Sequence, residues 1–168
     1  AMYDQEKYEP HEASSFFADG LSARQPVPGT IARGDLRLDE HLYTGKIGGE
    51  LAAKVPSSLH VDTALMERGR QRYDIFCAPC HDRTGGGNGM VVQRGFKQPP
   101  SIHLARLRIA PIGHFYDVIT SGFGNMTSYA SRVPVEDRWA IAAYIRALQF
   151  SQNANVDELS TEDKSKLQ

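Results

Sequence analysis

Both cysteines of this 168-residue chain lie in one short stretch, CAPCH, which runs from Cys77 to His81. Two thiols three residues apart, followed at once by an imidazole, suit four kinds of chemistry: a disulfide, half of a metal site, a redox dithiol or the attachment of a haem. Haem attachment accounts for all three groups. Each thiol can add to one vinyl group of the haem, and the adjoining histidine is then presented to the iron from the same turn.

The three competing interpretations each lack a required feature. A structural zinc site needs four ligands, and the chain has no second cysteine pair. A thioredoxin-like dithiol is expected beside a βαβ unit, which this sequence does not show. A disulfide between residues three apart gives little entropic stabilisation and leaves the histidine unexplained. We therefore predict one covalent haem c, attached through Cys77 and Cys80, with His81 on the proximal side of the iron.

A haem held by one histidine leaves the sixth coordination position of its iron to be filled. Met126 lies in the stretch GFGNMTSY, where glycines allow the backbone to approach the cofactor closely. We predict that Met126 is the distal ligand. Met90 follows the attachment motif too closely to reach the other side of the haem easily, and His103 or His114 are the alternatives that would give a bis-histidine iron.

Four helices are predicted to position these groups, at residues 60–76, 101–109, 110–122 and 133–150. Asp62 is the expected N-cap of the first helix, Gly122 ends the third, and Pro134 is placed at the first position of the last. Strand signals are almost absent. The predicted fold class is therefore all-α, with about four short helices around one covalent haem.

Composition divides the chain into three parts. Residues 1–60 hold nine acids and six bases, are rich in proline and glycine, and are predicted to form a long extended arm. Residues 61–150 hold seven acids and eleven bases and are the predicted haem domain, followed by a polar tail at 151–168. The net charge of −1 argues against nucleic-acid binding, and no stretch approaches the roughly 18 apolar residues of a membrane span.

The first helix carries Gly69, Tyr73 and Cys77 at four-residue spacing, and the last carries Ile141 and Tyr144. This pattern resembles the class I cytochromes c. The resemblance implies that the first and last helices cross where the glycine meets an aromatic side chain of the other helix. It also implies electron transfer rather than enzymatic catalysis.

The same resemblance extends to the surroundings of the iron ligands. It places Tyr129 shortly after the distal methionine, and it implies that the carbonyl group of Pro99 or Pro100 holds the His81 ring. The chain departs from the family pattern at Thr127, where a proline often follows the distal methionine. This departure implies a less rigid loop around the ligand.

The sequence of the N-terminal arm makes the family resemblance more specific. The stretches MYDQEKYEP and SSFFADGLSARQPVPGTIARG, with the continuation to Tyr43, resemble the mature N-terminus of the monohaem cytochrome c subunit of alternative complex III. The resemblance implies a subunit of a bacterial quinol-oxidising membrane complex that passes electrons to a cytochrome c or a terminal oxidase. It also implies a periplasmic location and a lipid anchor on an N-terminal cysteine. This chain begins with Ala1 instead, so we expect the anchor to be absent from it.

Two other functions stay open at this point. One is a free periplasmic electron carrier or the cytochrome partner of a dehydrogenase. The other is a haem sensor or peroxidase with an open distal site, which would use His103 with Arg106 or Arg108 over the iron. A basic docking surface for an acidic partner is also predicted, formed by Arg68, Arg70, Arg72, Arg94, Lys97, Arg106 and Arg108. The aromatic residues of the arm predict that it binds other subunits, with packing on its own haem domain as the alternative.

Overall fold

The computed structural model describes residue 3, residues 5–33 and residues 35–166. The chain divides into two compact units, Ala1–Arg37 and Leu38–Gln168. The elements of the second unit are α1 (Glu40–Thr44), β1 (Lys46–Ile47), β2 (Glu50–Leu51), α2 (Thr63–Phe76), α3 (Ala78–His81), α4 (Ala105–Ile109), α5 (Ile112–Ser121), α6 (Val135–Asn153) and α7 (Thr161–Ser165). Two 3₁₀ turns occupy Val92–Arg94 and Val156–Glu158. The all-α prediction is confirmed, since the strands form a single hairpin of two residues each.

The long helices α2 and α6 cross at a glycine, as the resemblance implied. A Cβ atom on Gly69 would overlap the carbonyl oxygen of Ala140 and touch the Cβ of Tyr144, so only glycine permits this approach. The rings of Tyr73 and Tyr144 pack edge to face across the same contact, with their centroids 5.5 Å apart. The crossing fixes the end of α2, from which the CAPCH motif continues.

The ends of the helices follow local signals that the sequence shows. The Asp62 carboxylate accepts a hydrogen bond from the Leu65 N–H at 2.8 Å, which makes Asp62 the N-cap of α2 as predicted. α5 begins after Pro111 and ends before Gly122, whose φ of 81° continues no right-handed helix. Pro134 was predicted at the first helical position of α6, and the structure has it one position earlier, as the N-cap.

A buried acid joins α2 to the first turn of α6. Arg68 donates two hydrogen bonds to Asp137, one from Nε at 2.7 Å and one from Nη2 at 2.9 Å. Arg72 forms an ion pair with the same carboxylate at 3.1 Å. Two arginines of the predicted docking surface therefore bind the protein's own Asp137.

Residues 38–59, which the sequence assigned to the arm, pack against the helices of the second unit. Trp139 donates a hydrogen bond from Nε1 to the Leu42 carbonyl at 2.9 Å. The Gly113 N–H at the start of α5 donates to Ala52, and the Ala52 N–H donates to Gly45, both at 2.8 Å. The structure thus divides the chain at Arg37, whereas the sequence predicts the boundary at residue 60. The short elements of this segment lack the periodicity that would have marked them as folded.

The first unit contains turns and one isolated bridge, between Ala13 and Leu21, in its described residues. Phe16 and Phe17 pack edge to face with centroids 4.9 Å apart, and the Arg24 guanidinium lies 4.2 Å from the centre of the Phe17 ring. The Phe16 side chain is largely exposed. The described residues of this unit therefore present aromatic surface and contain little regular secondary structure.

The predicted tail is partly helical. α6 continues to Asn153, and α7 begins after Ser160, whose hydroxyl accepts the N-cap hydrogen bond from the Asp163 N–H. Within the described residues, no helix has the length and apolar character needed to cross a lipid bilayer.

Candidate functional site

The two thiols and the imidazole of CAPCH lie on a single tight turn. Cys77 closes α2 through a hydrogen bond from its N–H to the Tyr73 carbonyl at 2.8 Å. The N–H groups of Cys80 and His81 both donate back to the Cys77 carbonyl, at 3.1 and 2.8 Å. The short helix α3 and its N-cap Cys77 therefore present all three side chains from a single turn of backbone. Both cysteines are free, so the disulfide interpretation finds no support here.

The environment of Cys77 does not suit thiolate chemistry. Burial, reinforced by the neighbouring Cys80, raises the pKa of Cys77 to about 12. Redox dithiols and nucleophilic cysteines depend on the opposite shift, toward a stable thiolate. Among the described residues, no group of three or more histidine, cysteine and acidic side chains is arranged to hold a metal ion. Of the four interpretations of the motif, covalent attachment of a haem is the one that this geometry fits.

The His81 ring is partly buried and carries an unsatisfied nitrogen. Its Nδ1 atom is inaccessible to solvent and forms no hydrogen bond with the described residues. Burial lowers the pKa of His81, although the adjacent Asp82 opposes the shift. A neutral imidazole is the form that ligates metals, and the nitrogen opposite the metal normally requires an acceptor. His81 thus fits the role of an iron ligand.

Residues 98–100 contain the two prolines, Pro99 and Pro100, whose carbonyl groups the resemblance proposes as partners of the His81 ring. The Pro99 carbonyl oxygen would lie 2.5 Å from a Cβ on Gly87, and the Gly87 N–H donates to the His81 carbonyl at 2.9 Å. The Pro99 carbonyl group therefore packs against Gly87, which is itself hydrogen-bonded to the backbone of His81. The described structure contains no hydrogen bond from Nδ1 to either proline. The choice between Pro99 and Pro100 stays a prediction.

The stretch TGGGNG packs directly against the backbone of α3. The Gly89 N–H donates to the Cys80 carbonyl and the Val91 N–H to the Pro79 carbonyl, both at 3.0 Å. A Cβ on Gly89 would overlap the Pro79 carbonyl oxygen. Glycine is required at this position because a side chain would collide with that carbonyl group. The close approach lets the loop donate N–H groups to the end of a helix that is too short to satisfy its own carbonyl groups. The sequence showed these glycines, but their partners could not be read from it.

Asp82 organises this glycine-rich loop, and the sequence analysis missed it. One carboxylate oxygen accepts hydrogen bonds from the Thr84 N–H at 2.7 Å, the Thr84 hydroxyl at 2.6 Å and the Gly86 N–H at 3.2 Å. The other accepts from the Asn88 N–H at 2.9 Å. Burial alone would raise the pKa of Asp82, but these hydrogen bonds outweigh it and lower the pKa to about 2. The signal available in the sequence was an acid directly before a glycine-rich turn.

The backbone of Asp82 is also held in an unusual conformation. Its φ is 54°, in the left-handed region that non-glycine residues seldom adopt. The Tyr73 hydroxyl donates a hydrogen bond to the Asp82 carbonyl at 2.9 Å, which ties the turn to the middle of α2. The helix α3 therefore ends immediately after His81, at a residue fixed by both its side chain and its carbonyl group.

Met126 lies in a tight turn between α5 and α6. The N–H and carbonyl groups of Phe123 and Met126 pair with each other at 2.9 Å, and Gly124 within the turn has a φ of 57°. A Cβ on Gly122 would lie 2.6 Å from the Met126 carbonyl oxygen, so the glycine is needed for the close approach of the chain. The Met126 side chain is partly buried against the core. Gly122 and Gly124 therefore shape the turn itself, whereas their predicted role in a close approach to the cofactor stays a prediction.

Tyr129 connects the Met126 turn to the CAPCH motif. Its ring packs edge to face on Phe76, the last residue of α2, with centroids 6.5 Å apart. Burial raises the pKa of Tyr129, and the proximity of Cys80 and Cys77 raises it further. The chain segment that carries Met126 thus lies on the side of the domain where the two thiols are.

The alternative distal ligands are placed differently. Met90 is more than half exposed to solvent. The Nε2 atom of His103 lies 2.7 Å from the Thr84 carbonyl oxygen and is hydrogen-bonded to it. Arg108, one of the arginines considered for an open distal site, donates to the Asn153 side chain at 2.5 Å. The His103 ring is therefore engaged by a backbone carbonyl, and the choice among Met126, His103 and His114 as the distal ligand stays a prediction.

Residues 64–145 match the family model described as cytochrome c oxidase, cbb3-type, subunit III. Over these residues the chain is similar to cytochrome c domains. The match covers slightly less than half of the chain, and it includes nearly all of α2, the CAPCH turn, the Met126 turn and the first half of α6. The predicted class I cytochrome c fold is thereby confirmed. Cytochrome c domains carry covalently bound haem c and transfer electrons, and Cys77 and Cys80 fit the attachment motif.

No curated protein sequence matches the chain. Among solved structures, it is similar to a chain of the reducing HAO-like protein complex of Kuenenia stuttgartiensis, with 20% sequence identity and a TM-score of 0.48. The similarity covers 65% of this chain and 54% of that one, so this cytochrome spans about half the length of its structural neighbour.

Proposed function

We propose that the protein is a monohaem electron-transfer cytochrome in which His81 and Met126 are the axial ligands of the iron. The observation that carries this proposal is the position of Tyr129, three residues after Met126, against Phe76 and the two thiols. The proximal turn and the methionine-bearing turn therefore converge on one side of the domain. A bound haem supplies a one-electron couple at its iron.

The residues of the chain have separate tasks in this function. Cys77 and Cys80 would tether the haem, and the neutral His81 ring would be one ligand of its iron. The Met126 thioether would be the other, which would exclude substrates and small ligands and raise the reduction potential relative to a bis-histidine iron. The Asp82 turn and the glycine-rich loop hold α3 in place. An iron with both axial positions filled by protein suits electron transfer rather than catalysis.

We further propose that the protein works in the periplasm as a subunit of a bacterial quinol-oxidising complex, alternative complex III. The support is the resemblance of the arm, together with exposed aromatic surface in its described residues. Its electron acceptor would be a cytochrome c or a terminal oxidase, and a lipid anchor would hold the full-length form at the membrane. A free carrier or dehydrogenase partner is the alternative. Purification of the membrane-attached form with its associated proteins distinguishes the two proposals. Only a subunit of alternative complex III should co-purify with multihaem and iron–sulfur subunits.

An acidic surface on the redox partner is consistent with the charge of the haem domain. From residue 83 to residue 116 the chain has no acidic residue. Five basic residues occur in the same stretch: Arg83, Arg94, Lys97, Arg106 and Arg108. Charges of one sign on one partner speed its encounter with a complementary surface, and the effect weakens as salt is added. The rate of electron exchange with the acceptor should therefore fall with ionic strength.

Replacement of Met126 by Ala tests the ligand assignment. The haem should stay covalently bound, while the reduction potential falls and the ferrous protein binds carbon monoxide. Met90→Ala is the matched control, because Met90 is an exposed methionine elsewhere in the same domain. A Met126→Ala protein with an unchanged potential and spectrum would show that another residue is the distal ligand.

A further inference from the structure

Arg138, in the first turns of α6, is a buried cation whose bonds all lead to one region of the chain. Only 6% of the residue is exposed. Its Nε donates to the Val133 carbonyl at 2.8 Å, and Nη2 donates to the Ala130 carbonyl at 3.0 Å. Its Nη1 donates to the Thr120 hydroxyl at 3.2 Å. The same atom lies 3.5 Å from the Tyr116 hydroxyl, at the limit of a hydrogen bond.

These acceptors lie on both sides of the turn that carries Met126. Thr120 belongs to the last turn of α5, which leads into the Met126 segment. Ala130 and Val133 belong to the irregular stretch between Met126 and the start of α6. Arg138 therefore bridges the entry and exit of residues 121–133. A planar guanidinium with five donors can make such a bridge from one point, and a lysine ammonium cannot reproduce its fork.

The neighbouring residue Asp137 is bonded to a different part of the protein, so bonds to the Met126 segment are not shared by every buried charge at the start of α6. Asp137, equally buried, directs its carboxylate to Arg68 and Arg72 on α2. Among the described residues, Arg138 has no carboxylate partner, and neutral oxygens accept its hydrogen bonds instead. Burial of a charge is costly without such bonds. The two adjacent residues thus serve two different contacts, one to α2 and one to the Met126 segment.

We propose that Arg138 is a positioning residue that fixes the Met126 segment and so determines how firmly Met126 occupies its ligand position. The inference rests on the proposed role of Met126 as distal ligand. Thr127 stands where a proline would otherwise stiffen the chain after the methionine, and residues 123–125 are exposed. The segment therefore depends on bonds from outside for its rigidity, and Arg138 supplies three of them. A preorganised segment loses less conformational entropy when its methionine binds the iron.

The test measures competition for the ligand position in the ferric holoprotein. Cyanide binds only to molecules in which the methionine has left the iron, so its apparent affinity reports the population of the open form. Arg138→Lys and Arg138→Gln should each raise this affinity about tenfold or more, which corresponds to the loss of one or two net hydrogen bonds. Amide hydrogen exchange in residues 123–133 should accelerate in the same variants.

Asp137→Asn is the matched control. It disturbs an equally buried residue on the same helix turn, but its partners lie on α2, so it should lower the melting temperature without a comparable change in cyanide affinity. If the Arg138 variants lose stability to the same degree and leave cyanide affinity and exchange unchanged, Arg138 is only a structural residue and the inference is overturned. If those variants do not accumulate as holoprotein, Thr120→Val removes one of the three acceptors with little change in volume and tests the same prediction.

A double-mutant cycle separates this inference from the proposed function. In a Met126→Ala background there is no methionine to displace, so Arg138→Lys should have no further effect on cyanide affinity. A persistent effect would mean that Arg138 acts elsewhere, which contradicts the inference. If Met126→Ala alone leaves cyanide affinity unchanged, the assignment of Met126 as the ligand fails, and the proposal for Arg138 fails with it.

Discussion

Trp139 in α6 and Leu42 in α1 are 97 residues apart, yet the indole Nε1 donates a hydrogen bond of 2.9 Å to the Leu42 carbonyl. The Trp139 ring stacks on Tyr116 with centroids 4.5 Å apart, and both side chains are completely buried. The Tyr116 hydroxyl donates to the carbonyl of Tyr43 at 3.1 Å. Residues 38–59 therefore cover an aromatic pair of the haem domain and satisfy its polar atoms.

Two truncations should behave differently for this reason. Removal of residues 1–37 should leave the absorption spectrum, reduction potential and melting temperature of the holoprotein nearly unchanged. Removal of residues 1–55 should expose the Trp139–Tyr116 pair and lower the melting temperature by at least about 5 °C, because a domain of this size loses several degrees per kcal/mol. Thermal unfolding followed at the haem band measures both effects. Equal melting temperatures for the two truncated proteins would contradict the structural role of residues 38–55.

The helix crossing predicts a large effect for a small substitution. Gly69→Ala should destabilise the holoprotein by about 1–3 kcal/mol or more, because the added methyl group overlaps a backbone carbonyl that has no rotamer to change. The gain in helix propensity, about 1 kcal/mol, is too small to compensate. Guanidinium chloride unfolding provides the measurement. Glu67→Ala, an exposed position on the same helix, is the control and should stay within about 0.5 kcal/mol of the parent protein.

Asp82→Asn should loosen the glycine-rich loop. The substitution keeps one acceptor oxygen, but it removes the second acceptor and the charge that strengthens all four hydrogen bonds. The expected cost is about 1–3 kcal/mol in the free energy of unfolding, with faster amide exchange at Gly86 and Asn88. Asp74→Asn on α2 serves as the control. Unchanged exchange in the loop would show that its glycines hold the conformation without the carboxylate.

Loss of the cofactor should unfold most of the haem domain. In a Cys77→Ala/Cys80→Ala protein the haem has no covalent attachment, and the few short helices of a small domain bury too little apolar surface to offset chain entropy. Far-ultraviolet circular dichroism should therefore show greatly reduced helix content in the haem-free protein. Full helical signal with cooperative unfolding would contradict this expectation.

Features encoded by neighbouring residues were predictable from the sequence. The Asp62 cap, the end of α5 at Gly122 and the CAPCH turn each depend on residues a few positions apart, and all three appear in the structure. The contact of Gly69 with α6 came from the resemblance to a family rather than from periodicity.

The features that the sequence did not predict depend on distant partners. Residues 38–59 form elements of two to five residues whose partners lie on α5 and α6, so no local period marks them. The sequence analysis did not single out Arg138, because two of its acceptors are backbone carbonyls that any residue type could supply. Asp82 was overlooked because its partners are mostly N–H groups of a loop whose course is set by glycine.

The contact between Gly69 and Ala140 also has a consequence for the order of events during folding. It joins two ends of the domain, so a loop of about 70 residues must close before the crossing forms, and such closure is slow and entropically unfavourable. Cys77 follows directly on α2 and is partly buried in the folded protein. A chain that is still being synthesised presents this thiol freely until α6 has emerged and docked. We therefore expect haem attachment to precede the closure of the C-terminal helix against the N-terminal one.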